Sequence, residues 1–92
     1  MGKVKTESTM RTLVVADTTG GVKLNIPVKL RQLVVIPNDL TKLLSIKFKT
    51  TDPYMQLPQG TAYGSGYVDS IITDNVYVLM SDNSGVKVEY WV

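Results

Sequence analysis

The chain contains no cysteine and no histidine among its 92 residues. These absences exclude disulfide bonds, thiolate or imidazole zinc sites, and cysteine or histidine nucleophiles. They also remove the only side chain whose ordinary pKa lies near neutrality. The groups that remain for chemistry are carboxylates, lysines, hydroxyls and tyrosines. We therefore expect the chain not to be an enzyme, and to bind neither a cofactor nor a metal ion.

The carboxylates do not form a paired acid and base in the sequence. Asp74 and Asp82 sit in predicted turns at opposite ends of one short strand, which separates them by roughly 15 to 20 Å. Paired catalytic carboxyls lie within about 10 Å of each other. Asp82 can still meet Asp17 or Asp52 in the folded chain, which the sequence leaves open. The EF-hand calcium pattern is absent, so these residues are predicted to be turn formers.

Long hydrophobic runs are also missing. The longest, such as residues 33–36 and 76–80, are far shorter than the roughly 20 residues that span a bilayer, so no transmembrane helix is predicted. No apolar stretch follows the two lysines near the N-terminus, which excludes a secretory signal. The first six residues match a short myristoylation pattern, but Met-Gly starts are common and we expect Gly2 to stay unmodified.

Charge is unevenly distributed along the chain. Residues 1–50 carry nine basic and three acidic residues, a net charge of +6, whereas residues 51–92 carry one basic and five acidic residues, a net charge of −4. Such an asymmetry gives a bipolar surface if the two halves fold apart, and a mixed surface if their strands interleave. The sequence leaves both outcomes open.

Alternation of apolar and polar residues predicts an all-β fold. Residues 22–31 alternate throughout, which is the signature of a strand with one buried face. Pro27 lies within this run and lacks an N–H, so the strand is expected at a sheet edge or a bulge. The alternation changes phase at Leu33, which predicts a bend near Arg31 and Gln32. Six further runs are predicted strands, at residues 10–16, 33–36, 45–49, 67–72, 76–80 and 86–91.

Turn-forming residues separate these runs. Residues 17–21 predict a hairpin between the first two strands, and the last three strands are expected to form a meander. In the run 45–49, Phe48 is expected to point inward. Leucines spaced at i, i+3 and i+4 predict one short helical turn near residues 38–44. The expected fold is a small β-sandwich or partly open β-barrel of about seven short strands.

The chain is predicted to have an N-terminal arm and one domain. Residues 1–9 are polar and aperiodic and form the arm, and residues 10–92 form a single β domain. Within it, residues 50–66 make a long loop rich in Gly, Pro and Tyr, and such loops are usually functional or disordered. Exposed edge strands, Tyr and Met favour protein contacts. The predicted protein-interface residues are Pro27, Tyr54, Met55, Leu57, Tyr63, Tyr67 and Trp91.

These features predict a non-enzymatic structural or assembly protein that binds protein partners or copies of itself. The sequence contains no motif that identifies a named family. In general character the chain resembles the small cysteine-free β domains of virion structural proteins, particularly the capsid-decoration, head or tail components of tailed bacteriophages. That resemblance implies a role in stabilising or connecting larger shell proteins. We expect a virion location if the chain is viral and a cytoplasmic location otherwise.

Two alternatives remain. The order of three strands, a short helix and a strand resembles an OB-fold, whose barrel binds single-stranded nucleic acid with basic and aromatic side chains. The contacts in that alternative would come from Lys23, Lys29, Arg31, Lys42, Lys47 and Lys49. Lysines on the solvent face of strands also prevent edge-to-edge aggregation, which explains them without a ligand. The third hypothesis is a carbohydrate- or surface-recognising module with the segment 54–67 as its site.

Overall fold

A computed structural model describes residues 9–27, 29–65, 71–72 and 76–92 of the chain. Most of the predicted arm, much of the predicted strand 67–72 and the turn that follows it lie outside these residues. The described chain is all-β, as predicted, and has no helix that could cross a membrane. Its strands are β1 (Met10–Val15), β2 (Val22–Lys23), β3 (Lys29–Leu30), β4 (Gln32–Pro37), β5 (Leu44–Lys47), β6 (Met55–Gln56), β7 (Tyr63–Gly64), β8 (Ile71–Ile72), β9 (Tyr77–Met80) and β10 (Val86–Trp91).

The strands form two four-stranded antiparallel sheets and one separate pair. Sheet A has the order β1-β10-β4-β7, sheet B has the order β2-β9-β5-β6, and β3 pairs with β8. Three strands of sheet A, each six residues long, are paired along their whole length. This arrangement is consistent with the predicted small β-sandwich or open barrel.

One apolar core takes alternate residues from both sheets. Along β4, β9 and the first half of β10, every second side chain is buried, because successive residues of a strand point to opposite faces. This is why the period of two in the sequence locates these strands. The fully buried hydrophobic residues are Leu24, Leu30, Leu33, Val35, Leu44, Ile46, Val76, Val78, Met80, Val86 and Val88.

The alternating run 22–31 does not form one strand. Leu24 and Leu30 are buried, whereas β2 and β3 at its two ends belong to different sheets. Pro27 lies exposed in the interruption, where it has no N–H to offer a ladder. The bend at Arg31 separates β3 from β4. The bend was expected from the sequence, and so was an edge position for this run, which β2 has in sheet B.

Strand connectivity differs from the predicted hairpin and meander. β1 pairs with β10 and β2 pairs with β9, so residues 17–21 cross between sheets and do not close a hairpin. In the same way, β8, β9 and β10 each belong to a different sheet. The turn residues were correctly located, since Gly20, Gly21 and Asn83 have positive φ. A turn residue does not, however, decide which strand the chain joins next.

The helical turn predicted near residues 38–44 is replaced by a β-turn. A single hydrogen bond closes it, from the Lys42 N–H to the Asp39 carbonyl. The Asp39 carboxylate accepts bonds from the backbone N–H and the hydroxyl of Thr41, at 2.9 and 2.5 Å. The Asp39 side chain therefore makes an Asx turn, which competes with helix formation. Leu44 is then buried as the first residue of β5.

The segment 50–66 contributes one short strand to sheet A and one to sheet B. β6 pairs with β5 in sheet B, and β7 pairs with β4 in sheet A. The Ser65 hydroxyl also accepts a hydrogen bond from the Leu33 N–H at 2.9 Å. These two strands, and the division of the run 22–31, bring the count in the described residues to ten, above the seven expected.

Candidate functional site

The outward side of sheet A carries a row of apolar side chains. Val14 and Ile36 flank Lys87 in adjacent strands, and Met10 lies beside Trp91. These positions alternate with core residues and so point away from the core. Met10 is 48% exposed and Val14 is 67% exposed. We call this surface the apolar face, and it consists of Met10, Val14, Val34, Ile36 and Trp91.

Four polar residues share this side of sheet A with the apolar face, namely Thr12, Gln32, Lys87 and Glu89. Lys87 and Glu89 form an ion pair at 3.3 Å, and the Thr12 hydroxyl lies 3.7 Å from the Met10 sulfur. Exposed ion pairs of this kind contribute little to stability. Because Lys87 and Glu89 lie on β10, between β1 and β4, the apolar side chains are arranged around this ion pair, with Met10 and Trp91 adjacent at one end.

A second surface lies on the outward side of sheet B. Tyr77 on β9 is paired with Lys23 on β2 and with Lys47 on β5. The Lys47 Nζ atom is 5.1 Å from the centroid of the Tyr77 ring and 4.7 Å from that of the Tyr54 ring, which are cation–π distances. We call Lys23, Lys47, Tyr54 and Tyr77 the lysine–tyrosine cluster.

Neighbouring loops hold the lysine–tyrosine cluster in place. The Lys47 Nζ donates to the Thr50 carbonyl at 3.1 Å, and the Thr50 and Tyr77 hydroxyls are 3.3 Å apart. Gly21 leaves room for Tyr54, because a Cβ at this position would overlap the Tyr54 hydroxyl. Burial raises the pKa of Tyr54, with a further contribution from Tyr77. The Tyr54 hydroxyl therefore stays neutral at physiological pH and can donate a hydrogen bond.

The predicted interface residues are distributed over several places. Tyr54 belongs to the lysine–tyrosine cluster and Trp91 to the apolar face. Met55 is 50% exposed on the edge strand β6, whereas Leu57 packs partly against the core. Pro27 is exposed at the break between β2 and β3. The structure therefore does not bring these residues together into one surface.

The remaining aromatic predictions concern Phe48, Tyr63 and Tyr67. Phe48 does not point inward as expected, because β5 ends at Lys47 and the alternation ends with it. Its side chain is 36% exposed and its ring centroid lies 5.5 Å from that of Tyr63. Tyr63 packs partly against the core, and burial raises its pKa. Tyr67 lies outside the described residues.

The six basic residues proposed for nucleic acid do not form one strip. Only Lys23 and Lys47 flank Tyr77. Lys42 lies before β5, where it interacts electrostatically with Asp39 and Asp82. Of the others, Lys49 is exposed beyond the end of β5 and Lys29 is exposed on β3, whereas Arg31 is half-buried at the bend before β4.

Strands from the two halves of the chain alternate in both sheets. In sheet A the order β1-β10-β4-β7 takes strands in turn from the basic and the acidic half, and the order β2-β9-β5-β6 of sheet B does the same. The charge asymmetry along the sequence is therefore mixed at the level of strands. Of the two outcomes left open, the structure has the interleaved one.

The turn carboxylates are occupied by their own turns. Asp17, Asp39 and Asp82 each accept bonds from a Thr or Ser two residues later. These bonds hold the pKa of each carboxyl below its usual value, and the bond from the hydroxyl contributes more than the bond from the backbone N–H. In the part of the chain that the structure describes, no cluster of three or more acidic residues is placed to hold a metal ion.

Sequence reasoning missed three surface residues that the structure brings forward. Met10 and Val14 are on the apolar face, and Tyr77 lies between two lysines. The signal for the first two was the run 10–15, which is apolar at positions of both parities, whereas a strand with one solvated face carries polar alternates. Tyr77 falls between two buried valines, so the same alternation places it outward.

No protein-family model, curated protein or solved structure matches this chain.

Proposed function

We propose that this chain is a non-enzymatic assembly protein that binds protein partners through the apolar face. The observation that carries the proposal is the exposure of Met10, which lies beside Trp91, and of Val14 on the outward side of sheet A. Aromatic residues and Met are enriched in protein interfaces. The paired strands keep these side chains in place before binding, which reduces the entropy lost on association.

The biological setting that we propose is a virus particle, as a bacteriophage capsid-decoration, head or tail protein. The support is the general character of the sequence, a small β domain without cysteine. A subunit that repeats with the symmetry of a shell needs contact surfaces of this kind. The genes beside its own test the setting. Portal, protease or tail genes would support it, and a metabolic operon would contradict it.

Binding through the apolar face is tested with a charge placed in its most exposed position. Val14→Glu should abolish co-sedimentation with purified particles from the same source, because burying a carboxylate costs free energy even when it lies opposite Lys87. The matched control is Lys23→Glu, which changes an exposed residue on the opposite sheet and should bind as the wild type does. Equal binding by the wild type and Val14→Glu would overturn the use of this face.

The lysine–tyrosine cluster favours a second function, the binding of single-stranded nucleic acid. An outward ring between two lysines can stack on a base while the ammonium groups contact phosphates. Fluorescence anisotropy with DNA and RNA oligonucleotides should show binding that weakens with salt, with a log–log slope of about −1.4 for two neutralised phosphates. Lys47→Gln should weaken this binding and Lys42→Gln should not. Absence of binding at low salt would eliminate this candidate.

A further inference from the structure

We propose that β1 pairs with β1 of a second copy of the chain, antiparallel and in a register centred on Thr12. The inference rests on the proposed function, since it names one protein partner that the apolar face serves. It is carried by three features of sheet A: the length of its β1 edge, the direction of the backbone groups along that edge, and the side chains that the pairing would bring together.

β1 is the longest edge of the two four-stranded sheets in the described chain. It has six residues with neither proline nor glycine, and its one charge is Arg11. The other three edge strands have two residues each. β2 carries Lys23 and precedes Pro27, β6 lies between two prolines, and β7 ends on a glycine. Short strands, Lys and Pro protect edges from pairing, and β1 has none of these. Its one protective feature is the charge of Arg11 on the core side.

The free backbone groups of β1 can be assigned from its pairing with β10. Thr9 and Val92 exchange both of their backbone hydrogen bonds, and bonded pairs alternate with non-bonded pairs along an antiparallel ladder. The residues of odd number in β1 therefore bond to β10. Met10, Thr12 and Val14 direct their N–H and C=O groups to the open edge, where no described strand pairs with them.

This edge is complementary to itself. When Thr12 lies opposite Thr12 of the second copy, Met10 lies opposite the second copy's Val14. Val14 then lies opposite the second copy's Met10. Every outward group then meets an outward group, and the three residues form bonded pairs in both chains. Cross-strand pairs of threonine and of apolar residues are each favourable. A shift by one residue would place outward groups opposite inward ones, and a shift by two would leave one of these three residues without a partner in β1. The register centred on Thr12 therefore pairs the most backbone groups.

The same pairing makes the apolar faces of the two copies continuous. Met10, Thr12 and Val14 point outward with Trp91 and Ile36, so the eight strands of two sheets A would present one surface of twice the area. On the core side, Arg11 lies opposite Leu13 of the second copy, where its aliphatic stem can cover that leucine while the guanidinium reaches water. The dimer would therefore have two-fold symmetry.

Disulfide trapping tests the register, because the chain has no cysteine of its own. Bonded antiparallel pairs have Cα atoms about 5.5 Å apart, which is within the range of a disulfide. Thr12→Cys should form a covalent dimer under mild oxidation. In Met10→Cys and Val14→Cys the two cysteines would be about 13 Å apart along the strands, and both should stay largely monomeric. The double variant Met10→Cys/Val14→Cys should cross-link.

The single variants also control for random collisions. Val14 is 67% exposed, so collisions would cross-link Val14→Cys at least as well as Thr12→Cys. Equal cross-linking of all three single variants would overturn the register. Sedimentation velocity showing only monomer, together with no cross-linking, would overturn the second copy as partner. The proposed function would survive that result if wild-type chain still bound particles and Val14→Glu did not, so the two failures are distinguishable.

Discussion

At the scale of the residue, Thr18 is a buried hydroxyl that joins two loops. Its hydroxyl donates to the Ser84 carbonyl at 2.6 Å and accepts from the Met80 N–H at 3.0 Å. Its backbone N–H donates to the Asn83 carbonyl at 3.2 Å. Because the residue is fully buried, no water can replace the hydroxyl if it is removed. This one side chain therefore connects the turn after β1 to the turn before β10.

We predict that Thr18→Val lowers the free energy of unfolding by about 1 to 3 kcal/mol, because the buried Met80 N–H and the partly buried Ser84 carbonyl lose their partner while the shape is kept. Thr18→Ser retains the hydroxyl and removes only a methyl group, so it should cost about 1 kcal/mol. Chemical denaturation of both variants measures the difference. A loss for Thr18→Val no larger than that for Thr18→Ser would contradict the role of the hydroxyl.

The three turn aspartates predict how stability depends on pH. Asp17, Asp39 and Asp82 have a folded-state pKa below the ordinary 3.8. The unfolded chain therefore binds more protons than the folded chain around that pH. Their stabilisation is complete above the unfolded pKa and is lost as the pH falls through the folded pKa. We expect the urea midpoint to fall from about pH 5 downward.

Asparagine at the same three positions supplies the control for this pH dependence. An Asn side chain accepts the same bonds in an Asx turn but does not titrate in this range. The triple Asp→Asn variant should therefore have a flatter dependence of the urea midpoint on pH than the wild type. An unchanged slope would show that other carboxylates control acid unfolding.

At the scale of the element, Gly85 permits the close contact between the start of β10 and the end of β1. A Cβ at Gly85 would overlap the Val15 carbonyl oxygen and lie 2.8 Å from the Ala16 carbonyl. Both neighbours are backbone, so neither can rotate away as a side chain would. The glycine is thus required by the pairing of these two strands.

Gly85→Ala should lower the free energy of unfolding by about 1 to 3 kcal/mol, because β1 or β10 must shift to admit the methyl group. Gly64→Ala is the matched control, since no atom lies within 4 Å of a Cβ built there, and it should be close to neutral. Thermal and urea unfolding of both variants provide the measurement. Similar effects of the two substitutions would contradict the steric argument.

Local pattern located most strands but not their neighbours. The run 86–91 was expected as a strand and is β10, since its alternation with a buried face is strong. The hairpin expected around residues 17–21 failed, because Gly20 and Gly21 favour a turn without choosing a partner strand. The helical spacing after Asn38 failed for a different reason. There the burial of Leu44 in sheet B outweighs a weak helical preference.

At the scale of the whole molecule, pairing through β1 links stability to concentration. A partner that binds only the folded chain raises the apparent Tm as its concentration rises. We expect the Tm of the wild type to increase with protein concentration. Thr12→Pro removes the outward N–H that the dimer uses while leaving the bonds to β10, so its Tm should be independent of concentration.

Thr12→Val keeps the N–H and serves as the control for this prediction. Its Tm should rise with concentration as that of the wild type does. Differential scanning calorimetry over a series of dilutions measures all three proteins. A Tm for the wild type that does not change with concentration would show that the folded chain does not self-associate in this range.

The sequence by itself determined the all-β class, the position of most strands, the turn residues and the lack of histidine and cysteine chemistry. These follow from local pattern, because a period of two decides which face of a strand is buried. Tertiary structure alone decided which strands are neighbours. It placed Tyr77 between Lys23 and Lys47, mixed the charges of the two halves, and left β1 at an edge. Pairing joins residues far apart in the chain, so it depends on how both sheets pack around one core.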